Sequence, residues 1–68
     1  MMIRLTVNGE KMQLITADNL QQLLETLRMS EKRIAVEVNQ EIIPRSQHAV
    51  TRLREGDRVE IVRAVGGG

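Results

Sequence analysis

The chain contains no cysteine, so no disulfide can staple it and no thiolate can ligate a metal or carry sulfur. Phenylalanine, tryptophan and tyrosine are absent as well, which leaves Leu, Ile, Val, Met and Ala to build the interior. Without aromatic rings there is no stacking platform for bases, and 10 basic against 9 acidic residues give no dense positive field. Nucleic-acid binding therefore has little to rest on. No apolar run approaches the length of a membrane span, and the first residues lack the apolar core of a signal peptide. A soluble cytoplasmic protein with no nucleic-acid or membrane partner is expected. At 68 residues the chain makes one small domain, near the lower size limit for folding without staples.

What is present begins with alternation. Ile3, Leu5 and Val7 interleave with Arg4, Thr6 and Asn8, the period of a half-buried strand. Asn8-Gly9 comes next, and a two-residue hairpin turn needs positive φ at both positions. Met12 and Leu14 continue the return strand, so Ile3 to Ile15 reads as a hairpin. Asp18 is the expected helix N-cap, with Gln21 closing a capping box. Leu20, Leu23, Leu24 and Leu27 then form the apolar stripe of a short helix, and Gln21, Gln22, Glu25 and Arg28 face away.

Ser30 to Arg33 is a polar connection. Ile34, Val36 and Val38 define a third strand ending at Asn39-Gln40. Ile42 and Ile43 resume a short extended piece, which Pro44 confines to an edge or a stop. Arg45 to Val50 can hold a helical turn. Glu55-Gly56-Asp57 is a turn, and Arg58 to Val65 is the last strand, with Val59 and Ile61 inward and Glu60, Val62 and Ala64 outward. No internal repeat or linker is expected. The order predicts an α+β domain, one helix across a small sheet, over residues 1–65, with residues 66–68 a flexible glycine tail.

Internal chemistry is sparse. His48 is the only histidine, which cannot by itself make a metal site, and it reads as a surface residue. Ser46 stands two residues from it, a poor spacing for contact, with no third group to complete a triad. Glu55, Asp57 and Glu60 sit on a turn and an outward strand position, where water keeps carboxylates ordinary. The expectation is a protein that is not an enzyme and binds no metal or cofactor of its own.

The tail carries more information. Gly66, Gly67 and Gly68 lack Cβ atoms and can lie extended in a channel too narrow for other residues. Three residues reach roughly 10 Å, enough to present the Gly68 carboxylate to another protein's active site. A frayed end or a cloning remnant is the plainer alternative. Val62, Ala64 and Val65, with Ala35 and Ile43, are the expected docking patch beside this arm.

Taken together, these segments resemble the ThiS family, the β-grasp sulfur carriers of thiamine thiazole synthesis. The resemblance runs over essentially the whole chain: Leu5-Thr6-Val7-Asn8-Gly9-Glu10, Leu20 to Leu27, Val36-Glu37-Val38-Asn39, Ile42-Ile43-Pro44-Arg45-Ser46, Arg54 to Val62 and Ala64 to Gly68. His48 departs from it, since family members often carry Trp there. The resemblance implies a ubiquitin-like fold with the first and last strands parallel and adjacent. It also implies that an adenylating enzyme of the ubiquitin-activating type, using ATP and magnesium, activates Gly68. A persulfide donor then converts Gly68 to a thiocarboxylate, which delivers sulfur to thiazole synthase. A molybdopterin-synthase small subunit, a ubiquitin-like modifier and a non-covalent β-grasp module are the alternatives. If the arm threads a channel, Gly67→Val folds as the wild type does but fails to be adenylated, as pyrophosphate release would read. Normal turnover by that variant would refute threading.

Overall fold

The computed structural model describes residues 2–14, 19–29 and 33–63. Five strands form one mixed sheet: β1 (Ile3–Val7), β2 (Glu10–Leu14), β3 (Ile34–Val38), β4 (Glu41–Ile43) and β5 (Arg58–Arg63), in the order β2-β1-β5-β3-β4. The first and last strands are parallel neighbours, with Thr6 beside Arg58 and Val7 beside Val59. All other pairings are antiparallel. Helix α1 (Leu20–Thr26) supplies Leu20, Leu23 and Leu24 to a core completed by Leu5, Val7, Leu14, Val36, Val38, Leu53, Val59 and Ile61. This is the α+β domain the pattern predicts, in the β-grasp arrangement the resemblance implies.

The alternation in β1, β3 and β5 appears as burial on one face and exposure on the other. Both hairpins turn on residues with positive φ. Asn8 and Gly9 (51° and 84°) join β1 to β2, and Asn39 and Gln40 (53° and 70°) join β3 to β4. Gln40 has no glycine freedom, so its left-handed backbone carries strain of about 1 kcal/mol or more. The hairpins also share a pattern, Ile-x-apolar-x-Val-Asn-x-Glu, at 3–10 and 34–41. The expectation of no internal repeat therefore gives way to two like units flanking β5. As Pro44 required, β4 is an edge strand.

Helix α1 starts one residue later than expected. Its N-cap is Asn19, whose side-chain oxygen accepts the Gln22 amide at 2.9 Å, and Asp18 lies outside the described residues. A second first-turn donor, the Leu20 amide, goes to the Thr51 carbonyl at 2.9 Å. The helix ends with Arg28 in the left-handed region (φ 58°), and the Met29 amide bonds back to Leu24 at 2.7 Å.

His48 is the main correction. It is not a surface residue but 4% exposed, on a 3-10 turn (Arg45–Val50). Its Nε2 lies 3.1 Å from the Ile43 carbonyl. That oxygen can only accept, so Nε2 carries the proton. The ring thus ties the end of β4 to the 3-10 turn, filling space that the aliphatic composition leaves to few large side chains. His48→Ala removes the ring and leaves the carbonyl short of its donor. We expect a loss of about 1–3 kcal/mol in urea unfolding, and an unchanged midpoint would show that the ring contributes nothing.

Candidate functional site

The site is organised by β5, because the strand leads directly into residues 64–68. Gly66, Gly67 and Gly68, together with Ala64 and Val65, lie outside the described residues. The base of the arm is described, and it is held on both sides. Toward β3, Val62 pairs with Ala35 and Arg63 with Ile34. Toward β1, the Asn8 amide donates to Val59 O (2.9 Å), and Asn8 Oδ1 accepts the Ile61 amide at 2.7 Å.

On the face away from α1, Val62 is 61% exposed and its cross-strand neighbour Ala35 is also exposed. These two residues of the expected patch stand together. Ile43 does not join them. It pairs with Val36, which points into the core, and is half-buried against that core. Its neighbour Ile42, 69% exposed and paired with Glu37, takes the outward position. Two consecutive isoleucines in a three-residue strand hide this parity, since periodicity cannot choose between them. The hairpin register does choose, counted back from the Asn39-Gln40 turn.

Next to the apolar pair, Glu37 and Glu60 are directly opposed across β3 and β5. Like charges so placed repel, which gives this part of the face an acidic character. On the same face, Arg58 precedes Glu60 by two residues on β5, beside Thr6 of β1, while Arg4 and Lys11 stand on β1 and β2. A shallow depression of about 490 Å³ there, lined by Arg4, Thr6, Lys11, Gln13 and Glu55, flanks the start of β5, away from Arg63. Glu55 accepts from the Arg4 backbone amide (2.8 Å) and pairs with its guanidinium (3.1 Å). The backbone hydrogen bond, helped by the bond to the guanidinium and its charge, holds the carboxyl below the usual glutamate range. Asp57 is likewise structural: it accepts from Asn39 Nδ2 and from the Arg54 amide.

Among the described residues no three His, Asp or Glu side chains are grouped to hold a metal, and no helix is long and apolar enough to cross a membrane. What the arrangement can do is present an apolar pair edged with carboxylates on the strand that leads in sequence to residues 64–68, with the end of that strand held by hydrogen bonds.

The ThiS family model matches residues 5–68. The chain is 29% identical over 66 residues to the Sulfur carrier protein ThiS of Escherichia coli strain K12, covering 97% of this chain and all of that one. It is 36% identical over 66 residues to a Thiazole synthase of Paramagnetospirillum magneticum, again over 97% of this chain but only 20% of that protein. The chain thus spans about a fifth of that relative's length. Among solved structures, the crystal structure of thiamine biosynthesis protein ThiS from Geobacter metallireducens superposes with a TM-score of 0.82 at 33% identity. That match covers 97% of this chain and 100% of the other.

The parity of β4 gives a direct test. Ile42→Thr, on the open face, changes stability by less than about 0.5 kcal/mol. Ile43→Thr places a hydroxyl against the core and costs about 1 kcal/mol or more. Thermal or urea unfolding of the two variants would show the reverse order if Ile43 faced outward.

Proposed function

The chain belongs to the ThiS family, and from that premise we propose that it is a sulfur carrier of thiamine biosynthesis whose working group is the Gly68 carboxylate. One observation carries this reading: the family match extends from the first strand through the triglycine to residue 68. A carboxylate resists displacement because its charge is shared by two oxygens. An adenylating partner overcomes this by letting a Gly68 oxygen attack the α-phosphorus of ATP, with pyrophosphate leaving. The acyl adenylate is then attacked at its carbonyl carbon by a persulfide, and AMP departs with the electron pair of the broken C–O bond. A thiol cleaves the resulting S–S bond and is itself oxidised to a disulfide, which leaves a thiocarboxylate on Gly68.

That group stays anionic and nucleophilic at neutral pH, suited to transfer to thiazole synthase. The similarity of this chain to a segment of a longer Thiazole synthase supports that recipient. The domain's own task is delivery. Val62 and Ala35 dock, with Ala64 and Val65 proposed to extend the patch, while Gly66 and Gly67 allow the arm to thread. ATP and magnesium belong to the activating partner, and the chain acts as its substrate rather than as an enzyme.

The test is intact mass after incubation with ATP and a lysate competent for thiamine synthesis, beside a chain lacking Gly68. A gain equal to one sulfur replacing one oxygen, absent from the truncated chain, is expected. No change, in a lysate that thiocarboxylates the Escherichia coli carrier, would overturn the assignment in favour of a binding module.

A further inference from the structure

The turn residue Asn8 does more than turn. Strand β1 runs beside β5 only as far as Val7 and Val59, after which the hairpin carries β1 away at Gly9. A continued parallel ladder would offer the Ile61 amide a backbone carbonyl from residue 8. The turn redirects the backbone, and the Asn8 side-chain oxygen takes the Ile61 amide instead, at 2.7 Å. With its own amide on Val59 O, Asn8 grips two successive groups of β5. The gripped segment lies two residues before Arg63, where the described strand ends.

At the other end of β5 the second turn asparagine does a matching job. Asn39 Oδ1 accepts the Arg58 amide (3.0 Å), and its Nδ2 donates to Asp57 (2.9 Å). One asparagine therefore fixes where β5 begins, and the other holds its β1-side edge at Ile61, while β3 pairs on to Arg63.

We infer that Asn8 is a positioning residue for the glycine arm: its side-chain oxygen extends the sheet's hold on β5 past the end of β1 and so sets the origin and heading of the segment carrying Gly68. This rests on the carrier reading. An arm on a loosened base samples more directions, so fewer encounters place the carboxylate in line with the α-phosphorus, while the docking face is untouched. The defect should fall on kcat rather than on KM.

The substitutions separate turn from grip. Asn8→Gly keeps a residue at ease with φ of 51° but removes the acceptor. Asn8→Asp keeps both the acceptor and tolerance of that backbone. Asn39→Gly removes the matching grip at the start of β5 and controls for general loss of stability. With the full chain and its adenylating partner, pyrophosphate release gives kcat and KM, and amide exchange reports on Ile61. For Asn8→Gly we expect faster Ile61 exchange, kcat lower by roughly 10-fold or more and KM within about twofold of wild type. Asn8→Asp should recover most of the rate, and Asn39→Gly should keep it. Wild-type kcat in Asn8→Gly despite faster Ile61 exchange would overturn the inference, as would an equal loss in Asn39→Gly. Ile61 exchange unchanged in Asn8→Gly would do the same. Absence of adenylation in the wild type itself would instead remove the carrier reading on which the inference rests.

Discussion

Everything in this domain depends on the placement of Val59. It has no solvent exposure and sits at the middle of the sheet, beside Val7 on one strand and Val38 on the other. Three valines from the beginning, middle and end of the chain thus meet in one row across the sheet. Without β5 no strand joins the two hairpins, and α1 has only a split sheet to pack against. Bringing the ends of the chain together costs loop entropy before any packing offsets it, so the last strand completes the fold rather than decorating it. The strand most central to stability is also the one from which the glycine arm extends.

Composition makes that dependence acute. With no aromatic residue and no cysteine, the core is a thin aliphatic layer in which each fully buried leucine or valine contributes about 1.5–3 kcal/mol. Polar groups take over where larger side chains would otherwise brace the structure. His48 ties the 3-10 turn to the end of β4. Asn39 and Asp57 knit the β3–β4 turn to the start of β5, and Asn8 secures its far half. Both asparagines are chosen twice over, since the turn needs a residue that accepts the left-handed backbone and β5 needs a side-chain acceptor. Glycine would meet the first need and not the second.

Much of this is legible in one dimension, and the parts that are not share a cause. The β1–β2 hairpin, the leucine stripe, β3 and the inward residues of β5 follow from periodicity because each element is long enough to display its period. Where the element is three residues long, as in β4, two adjacent isoleucines leave the face undetermined, and Ile42 rather than Ile43 is outward. Asp18 and Asn19 are both good caps by chemistry, and only the position of the first turn separates them. Leu53 and His48 enter the core from a stretch without regular period, so nothing in their neighbours announces burial. At the candidate site, the glycine arm and Val62 stand out by composition and alternation. The bond from Ile61 to Asn8 does not, because it joins residues 53 positions apart through a side chain already accounted for by its turn.

Alternation along β5 also makes stability and the proposed delivery separable in experiment. Val59 and Ile61 face the core, and shortening either opens a cavity in a layer with little material to collapse into it. Any loss of delivery in such variants would be inseparable from unfolding. Val62, one residue further on, faces solvent beside Ala35, and changing it leaves the core contacts in place. Asn8 falls between these cases: it is exposed, yet it is bonded to the inward-facing strand segment that precedes the arm. A rate defect there with an intact fold would mean that the sheet does more than hold the domain together. It would mean that the same hydrogen-bond ladder that stabilises the last strand also aims the glycine arm.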